Sequence, residues 1–142
     1  MPYYNATGSM QYPSPGPSDV PSYQLSAIPW LTSSVAPNGA AMKISFPTTT
    51  RWVEVMNTGG QGLRIGFSSN GIGGLVPEAH YFTLPATIGA QTSRWELRCS
   101  EIYLYGISGA TTFSLAAGLS PVPSRYFNGI TGSLGGVYGG IG

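Results

Sequence analysis

Short segments in which apolar and polar residues alternate fill the middle of this chain, and they constrain its fold more than any other feature. In residues 62–68, the side chains of Leu63, Ile65 and Phe67 share one face, and Arg64 and Gly66 share the other. Successive side chains of a β-strand point to opposite faces, so this spacing predicts a strand with one buried face. Comparable segments lie at residues 41–46, 51–57, 62–68, 80–84, 93–99, 101–107 and 111–117. Six or seven such strands with turn residues between them predict an all-β fold, a single antiparallel β-sandwich.

The buried faces of these segments define a predicted core. The alternation assigns the following residues to it: Ile44, Phe46, Val53, Val55, Leu63, Ile65, Phe67, Trp95, Leu97, Cys99, Ile102, Leu104, Phe113 and Leu115. Cys99 is the single cysteine, so it cannot form a disulfide within the chain, and we expect a buried, inert thiol. The segment Asn57-Thr58-Gly59-Gly60 predicts a hairpin between two consecutive strands, and residues 69–79 predict a loop.

Composition changes on both sides of this region. Residues 1–38 hold seven of the twelve prolines and a single charge, Asp19, so they can form neither a helix nor a central strand. The last 17 residues hold seven glycines. We therefore predict an extended Pro/Tyr-rich N-terminal arm at residues 1–38, a sandwich at residues 39–123, and a Gly-rich C-terminal arm at residues 124–142.

Both predicted arms carry aromatic and aliphatic side chains, which simple linkers lack. Aromatic side chains bury a large area while few torsions are immobilised, so they are effective anchors in protein interfaces. We expect the arms to become ordered on a partner surface, although disordered tails would have the same composition. The predicted partner-binding residues are Tyr12, Tyr23, Trp30, Tyr126, Phe127 and Tyr138.

Charged residues make up only 8% of the chain, and the formal net charge is +1. An average soluble domain has about 25% charged residues, so little repulsion keeps copies of this chain apart. This composition favours a protein that packs against neighbours, and an ordinary β-domain with a Ser/Thr-rich surface is the alternative. No basic patch is present, so we expect no direct binding to nucleic acid.

The residues needed for catalysis or metal binding are sparse. One cysteine and one histidine, His80, cannot close a zinc site, and the five acidic residues are scattered. We therefore predict that the protein is not an enzyme and needs no cofactor. No apolar run approaches the roughly 18 residues of a membrane span, and the N-terminus lacks the basic and apolar regions of a signal peptide.

Four runs within residues 50–123 carry a family resemblance: VEVMNTGGQGLRIGFSSNGIGG, HYFTLP, SRWELRCSEIYLYG and TTFSLAAGLSPVP. They are similar to small β-sandwich structural proteins of tailless icosahedral viruses and some phages. The resemblance implies a jelly-roll-like minor capsid, cement or vertex protein that is made in the host cytoplasm and resides in the virion. Its partners would be other capsid proteins and copies of itself, in a homo- or hetero-oligomer.

Two other functions fit the same residues. A carbohydrate-binding or adhesin-like module would use outward aromatic rings, for which Trp52, Tyr103 and Tyr105 are the candidates. Such a site requires those rings to line an open groove beside polar groups. A subunit of a non-viral, self-assembling shell has the same physical requirements as a capsid protein and differs only in biological context.

Overall fold

The computed structural model describes residues 3–4, 10–11, 27–73 and 80–123. In these residues the strands are β1 (Tyr3–Tyr4), β2 (Met10–Gln11), β3 (Ile28–Ala36), β4 (Met42–Ser45), β5 (Thr48–Asn57), β6 (Gly62–Gly66), β7 (Phe82–Leu84), β8 (Ala90–Gln91), β9 (Glu101–Ile107) and β10 (Thr111–Pro123). A single helical turn, α1 (Ser69–Gly73), follows β6 within the predicted loop. Strands β1 and β2 form a separate antiparallel ladder, and the other eight strands form two sheets.

The two sheets are both antiparallel and contain four strands each. The first sheet has the order β3-β10-β5-β8, and the second has the order β4-β9-β6-β7. Strands from the two halves of the chain pair in a nested pattern: β3 with β10, β4 with β9, β5 with β8 and β6 with β7. Strand β10 additionally pairs with β5, and β9 with β6, which joins the nested pairs into sheets.

The inner faces of the sheets enclose one hydrophobic core, as the alternation predicts. Of the predicted core residues, Phe67, Trp95 and Leu97 are partly buried and pack against the cluster, and the others are buried. Burial of a side chain such as Leu63 or Ile102 contributes about 2 kcal/mol to the free energy of unfolding. The all-β fold with two antiparallel sheets is therefore confirmed, and it is compatible with a β-sandwich.

The predicted N-terminal boundary of the sandwich is wrong. Strand β3 lies within residues 1–38, the predicted arm, and pairs with β10 along its whole length, from Ile28↔Leu119 to Ala36↔Thr111. The prediction failed because Pro29 and Pro37 flank a stretch without regular alternation, and both prolines are compatible with an edge strand. Strand β10 ends at Pro123, and residues 124–142 lie outside the described residues.

The predicted hairpin after Asn57 is also wrong. Strands β5 and β6 belong to different sheets, so this turn carries the chain across the core. The amides of Thr58 and Gly59 both donate to the carbonyl oxygen of Thr112, at 3.0 and 3.1 Å, which ties the turn to β10. A Cβ atom on Gly59 would overlap Thr111. Glycine is therefore required here because the turn packs closely against β10, and not because the turn forms a two-residue hairpin.

Residues 93–99 alternate in sequence, yet they form no regular strand. Trp95 bridges to β5 through a pair of backbone hydrogen bonds of 3.0 Å with Val53, and the Thr50 amide donates to the Cys99 carbonyl oxygen at 2.9 Å. Side-chain bonds add to these links: the Thr50 hydroxyl donates to the Leu97 carbonyl oxygen at 3.0 Å and accepts from the Cys99 amide at 3.1 Å. The segment therefore lies along β5 and is held there by both backbone and side-chain hydrogen bonds.

The side chain of Asn57 holds three parts of the sandwich together. Its amide nitrogen donates to the carbonyl oxygens of Gln61, at 2.6 Å, and Pro85, at 3.0 Å. Its oxygen accepts from the amide of Gly59 at 3.1 Å and from the hydroxyl of Thr111 at 2.9 Å. Because Asn57 is completely buried, each of these bonds replaces one that water would otherwise make.

Replacing Asn57 by alanine should lower the free energy of unfolding by about 3 kcal/mol, because several buried polar groups lose their partner. Urea unfolding of the full chain measures this change. The neighbouring substitution Thr58→Ala removes an exposed hydrogen bond to Thr112 and should cost about 0.5 kcal/mol or less. Equal losses in the two variants would show that the Asn57 bonds do not stabilise the turn.

Candidate functional site

The outer faces of the two sheets differ, because α1 folds back over the second sheet. Ile72 of α1 is completely buried, and a Cβ atom on Gly66 would approach its side chain to 3.3 Å. Nη1 of Arg64 donates to the Ile72 carbonyl oxygen at 3.2 Å. The absence of a side chain at Gly66 and the long reach of Arg64 thus allow the turn to pack directly on the strands.

The guanidinium group of Arg64 lies between two tyrosine rings. It is 4.3 Å from the ring centroid of Tyr81 and 5.2 Å from that of Tyr105, distances typical of cation–π contacts. The hydroxyl of the neighbouring Tyr103 donates to Glu101 at 3.3 Å, and burial together with this carboxylate raises the pKa of Tyr103. Tyr103 and Tyr105 are half-buried, and the Tyr105 ring is in contact with a cation of its own chain.

The third proposed sugar-stacking residue, Trp52, lies on the other sheet. Its indole is half-buried, and a Cβ atom on Gly118 would overlap it, so the ring lies across the backbone of β10. The guanidinium group of Arg94 is 5.2 Å from the Trp52 ring centroid. Trp52 therefore does not share a groove with Tyr103 and Tyr105.

We use the name open face for the outer surface of the first sheet. A shallow groove of about 300 Å³ runs along it. The groove is lined by Leu31, Thr32, Ser33, Glu54, Val55, Met56, Gln91, Ser114, Leu115 and Ala116. Glu54 is the only charged residue in this lining. The groove of the open face is therefore lined by small, hydroxyl-bearing and apolar side chains with a single charge.

Strand β3 borders the open face and exposes apolar side chains to solvent. Leu31 is 75% exposed, Ile28 is 60% exposed and Val35 is 51% exposed. No charged residue occurs between Asp19 and Lys43 in the sequence. Leu31 and Val35 share the outward face of β3, whereas Ile28 lies on the face of Trp30. Exposed apolar side chains that share a face without charged residues are typical of surfaces that bind other proteins.

A second groove, of about 420 Å³, lies at the end of β6 and β7. Its lining consists of Ile65, Gly66, Phe67, His80, Tyr81, Phe82 and Trp95. The ring centroids of Phe82 and Trp95 are 5.2 Å apart in an edge-to-face arrangement, and Phe82 remains 49% exposed. This aromatic groove offers apolar ring surface beside an imidazole.

Of the predicted partner-binding residues, Trp30 is the one within the described part of the chain. It lies in β3, where its half-buried ring packs edge-on against Phe46 with a centroid distance of 5.0 Å. Trp30 therefore packs on the core of its own sandwich. Tyr12, Tyr23, Tyr126, Phe127 and Tyr138 lie outside the described residues, and their roles stay predictions.

The sequence interpretation missed the apolar side chains of the open face. Leu31 and Val35 lie within residues 1–38, for which the sequence predicts an arm, although the lack of charge from residue 20 to residue 42 was a usable signal. It also missed the aromatic groove, because Phe67 and Trp95 were assigned wholly to the core. Both surfaces depend on which strands become neighbours, and alternation alone does not give strand order.

Within residues 27–73 and 80–123, no three histidine, cysteine, aspartate or glutamate side chains lie close enough to hold a metal ion. The described residues also include no helix long and apolar enough to cross a membrane. No protein-family model, curated protein or solved structure matches this chain.

The buried thiol of Cys99 has a measurable consequence for stability. Burial favours the neutral thiol and raises the pKa of Cys99 from 9.0 to about 11, while the hydroxyl of Thr50 lies 3.3 Å from its sulfur. In the unfolded chain the thiol loses its proton near its ordinary pKa. The contribution of the buried Cys99 thiol to the free energy of unfolding is thus fully present below pH 9.0 and declines as the pH rises to about 11.

The free energy of unfolding should therefore fall by about 2 kcal/mol from this group alone between those two pH values. Urea unfolding at a series of pH values measures the change, with Cys99→Ala as the comparison because it lacks the titrating thiol. The difference between the two proteins should shrink as the pH rises. Parallel pH profiles would contradict the burial of a neutral thiol.

Proposed function

We propose that this protein is a virion structural subunit, a minor capsid, cement or vertex protein that binds neighbouring capsid subunits through its open face and its arms. Its role in this proposal is binding and not catalysis. The single observation that carries the proposal is the nested strand order, β3-β10-β5-β8 opposite β4-β9-β6-β7. Folding a long antiparallel hairpin around a core produces this order, which supports classification as a jelly roll.

A jelly roll by itself does not determine function, because viral capsid, lectin and cupin domains all use it. The surface chemistry favours a structural role among these. The open face has one carboxylate in its groove, and its border exposes Leu31 and Val35. Weak contacts through such a face become strong when many copies are held in one lattice.

The terminal segments add to this argument through their composition. Residues 124–142 combine seven glycines with Tyr126, Phe127 and Tyr138, and residues 1–26 combine proline with tyrosine. Both flank a sandwich whose first strand, β3, and last strand, β10, are neighbours. As arms, they would extend from one sheet and reach adjacent subunits, so the partners would include other capsid proteins and copies of this chain.

Sedimentation of particles from a culture that produces the full chain tests the proposal. We expect the chain to co-sediment with nuclease-protected nucleic acid, in particles of uniform size. Replacing Met56 by glutamate places a charge in the groove of the open face and should reduce incorporation about tenfold or more, because an interfacial charge would be desolvated without a partner.

Ile88→Glu is the matched control, because Ile88 is apolar and 74% exposed but does not line the groove. It should be incorporated like the unaltered chain, and circular dichroism verifies that both variants fold. A chain that stays outside particles would refute the virion role. Uniform particles that contain no nucleic acid would favour a non-viral shell subunit instead.

The aromatic groove favours carbohydrate binding as a second candidate function. Faces of aromatic rings beside a polar group are suited to sugar rings, and Phe82 is half-exposed next to Trp95 and His80. Screening the full chain against immobilised oligosaccharides tests this function. Phe82→Ala should weaken any genuine binding about tenfold, whereas Ile88→Ala should not; no binding by the unaltered chain would dismiss it.

A further inference from the structure

The free edges of the two sheets are protected very unequally. Among the described residues the edge strands are β8 with two residues, β7 with three, β4 with four and β3 with nine. Strand β4 also carries Lys43, which forms an ion pair of 2.9 Å with Glu101. Short strands, charged side chains and edge prolines are among the means by which proteins prevent a sheet edge from pairing with another chain. Strand β3 is long and uncharged, and its one proline, Pro29, lies next to its N-terminal end.

Two prolines mark which residues of β3 can pair further. A proline within an edge strand is tolerated when its missing N–H faces away from the sheet, so we place the nitrogen of Pro29 at the free edge. In an antiparallel ladder, the N–H and C=O of one residue point to the same neighbour, and the direction alternates along the strand. Leu31, Ser33 and Val35 then present their backbone groups at the free edge, and Pro37 ends the series.

This arrangement is symmetric about Ser33. If a second β3 lies antiparallel with Ser33 opposite its own copy, Leu31 lies opposite Val35 in both directions. The same register places Pro29 opposite Pro37 at both ends of the ladder. The N–H groups that the prolines lack are therefore missing only at the ends, and every carbonyl oxygen between them keeps its donor. Apolar side chains thereby meet apolar side chains on the open face, and the central pair is formed by two hydroxyl groups.

Electrostatics also favour a second copy of this chain. Near a two-fold axis any charged residue faces its own like charge, which destabilises a cross-strand pair. No charged residue lies between Asp19 and Lys43, so the symmetric arrangement brings no like charges together along β3. Because β3 carries no charge, a different protein with a charged strand would gain no ion pair by binding there.

We infer that two copies of this protein dimerise by antiparallel pairing of their β3 strands about Ser33, which joins their first sheets into one sheet of eight strands. The inference rests on the proposed function, since it names one of the neighbours that the subunit binds. An edge contact of this kind is small, so we expect a weak dimer whose dissociation constant is on the order of micromolar. In an assembled lattice such a contact acts together with others.

Disulfide trapping of the full chain tests the register. In the inferred dimer the two Ser33 Cα atoms lie about 5.5 Å apart, within the range that a disulfide spans. Ser33→Cys should therefore form a covalent dimer under mild oxidation. Val35→Cys is the matched control: its two copies would lie about 13 Å apart, too far for a disulfide, and should stay uncrosslinked.

Charge exchange at the same position provides a second, independent test. Light scattering coupled to size exclusion should show the unaltered chain approaching twice the mass of a single chain as its concentration rises. Ser33→Glu and Ser33→Lys should each weaken the dimer about tenfold or more, because like charges meet on the axis. Mixing these two variants should restore a dimer that contains one copy of each.

Several outcomes would overturn the inference. A full chain that stays monomeric at its highest soluble concentration would do so, and this would also be the result if another segment of the chain covers the edge. Equal crosslinking of Ser33→Cys and Val35→Cys, or a dimer indifferent to charge at Ser33, would place the contact elsewhere. If particles incorporate Ser33→Glu as well as the unaltered chain, the β3 dimer would be refuted while the virion role would stand.

Discussion

The sandwich depends on the position of β10 between β3 and β5. This strand is the last of the eight, yet it pairs with the first and the third, so the first sheet cannot exist until the two ends of the domain have met. Such pairings require closing long loops before any contact stabilises them, which is typical of slowly folding β-proteins. The inward residues of β10, including Phe113 and Leu115, then complete the core from this central position.

Polar side chains complete the structure where the ladders stop. Asn57 binds the turn after β5, the turn after β7 and the start of β10, and the Thr50 hydroxyl bonds the backbone of Leu97 and Cys99. At the opposite end, the hydroxyl of Ser120 donates to the Thr49 carbonyl oxygen at 3.0 Å. Crossing from one sheet to the other leaves backbone groups without strand partners, and these buried side chains supply the missing bonds.

Alternation in the sequence was sufficient to predict the faces of β5, β6, β9 and β10, because burial on one face has a period of two. Alternation was insufficient wherever a local sequence motif is compatible with two different backbone paths. The glycines after Asn57 are compatible with a hairpin, but the long-range hydrogen bonds of Asn57 to Pro85 and Thr111 stabilise a turn that crosses between the sheets. Trp30 and Leu31 are adjacent apolar residues on opposite faces of β3, so no alternation marked that strand, and the open face depends on strand order.

The inequality of the sheet edges limits how many copies of this chain can join through their backbones. A strand edge propagates into a fibre only if every added copy brings a second edge of comparable quality. Here β4, β7 and β8 are too short, and in β4 also too charged, to serve as that second edge. Within the described residues of the two sheets, each subunit therefore offers one strand edge for pairing with another chain. In the inferred dimer β3 is already paired, so growth by this route would stop at two copies instead of continuing into a filament.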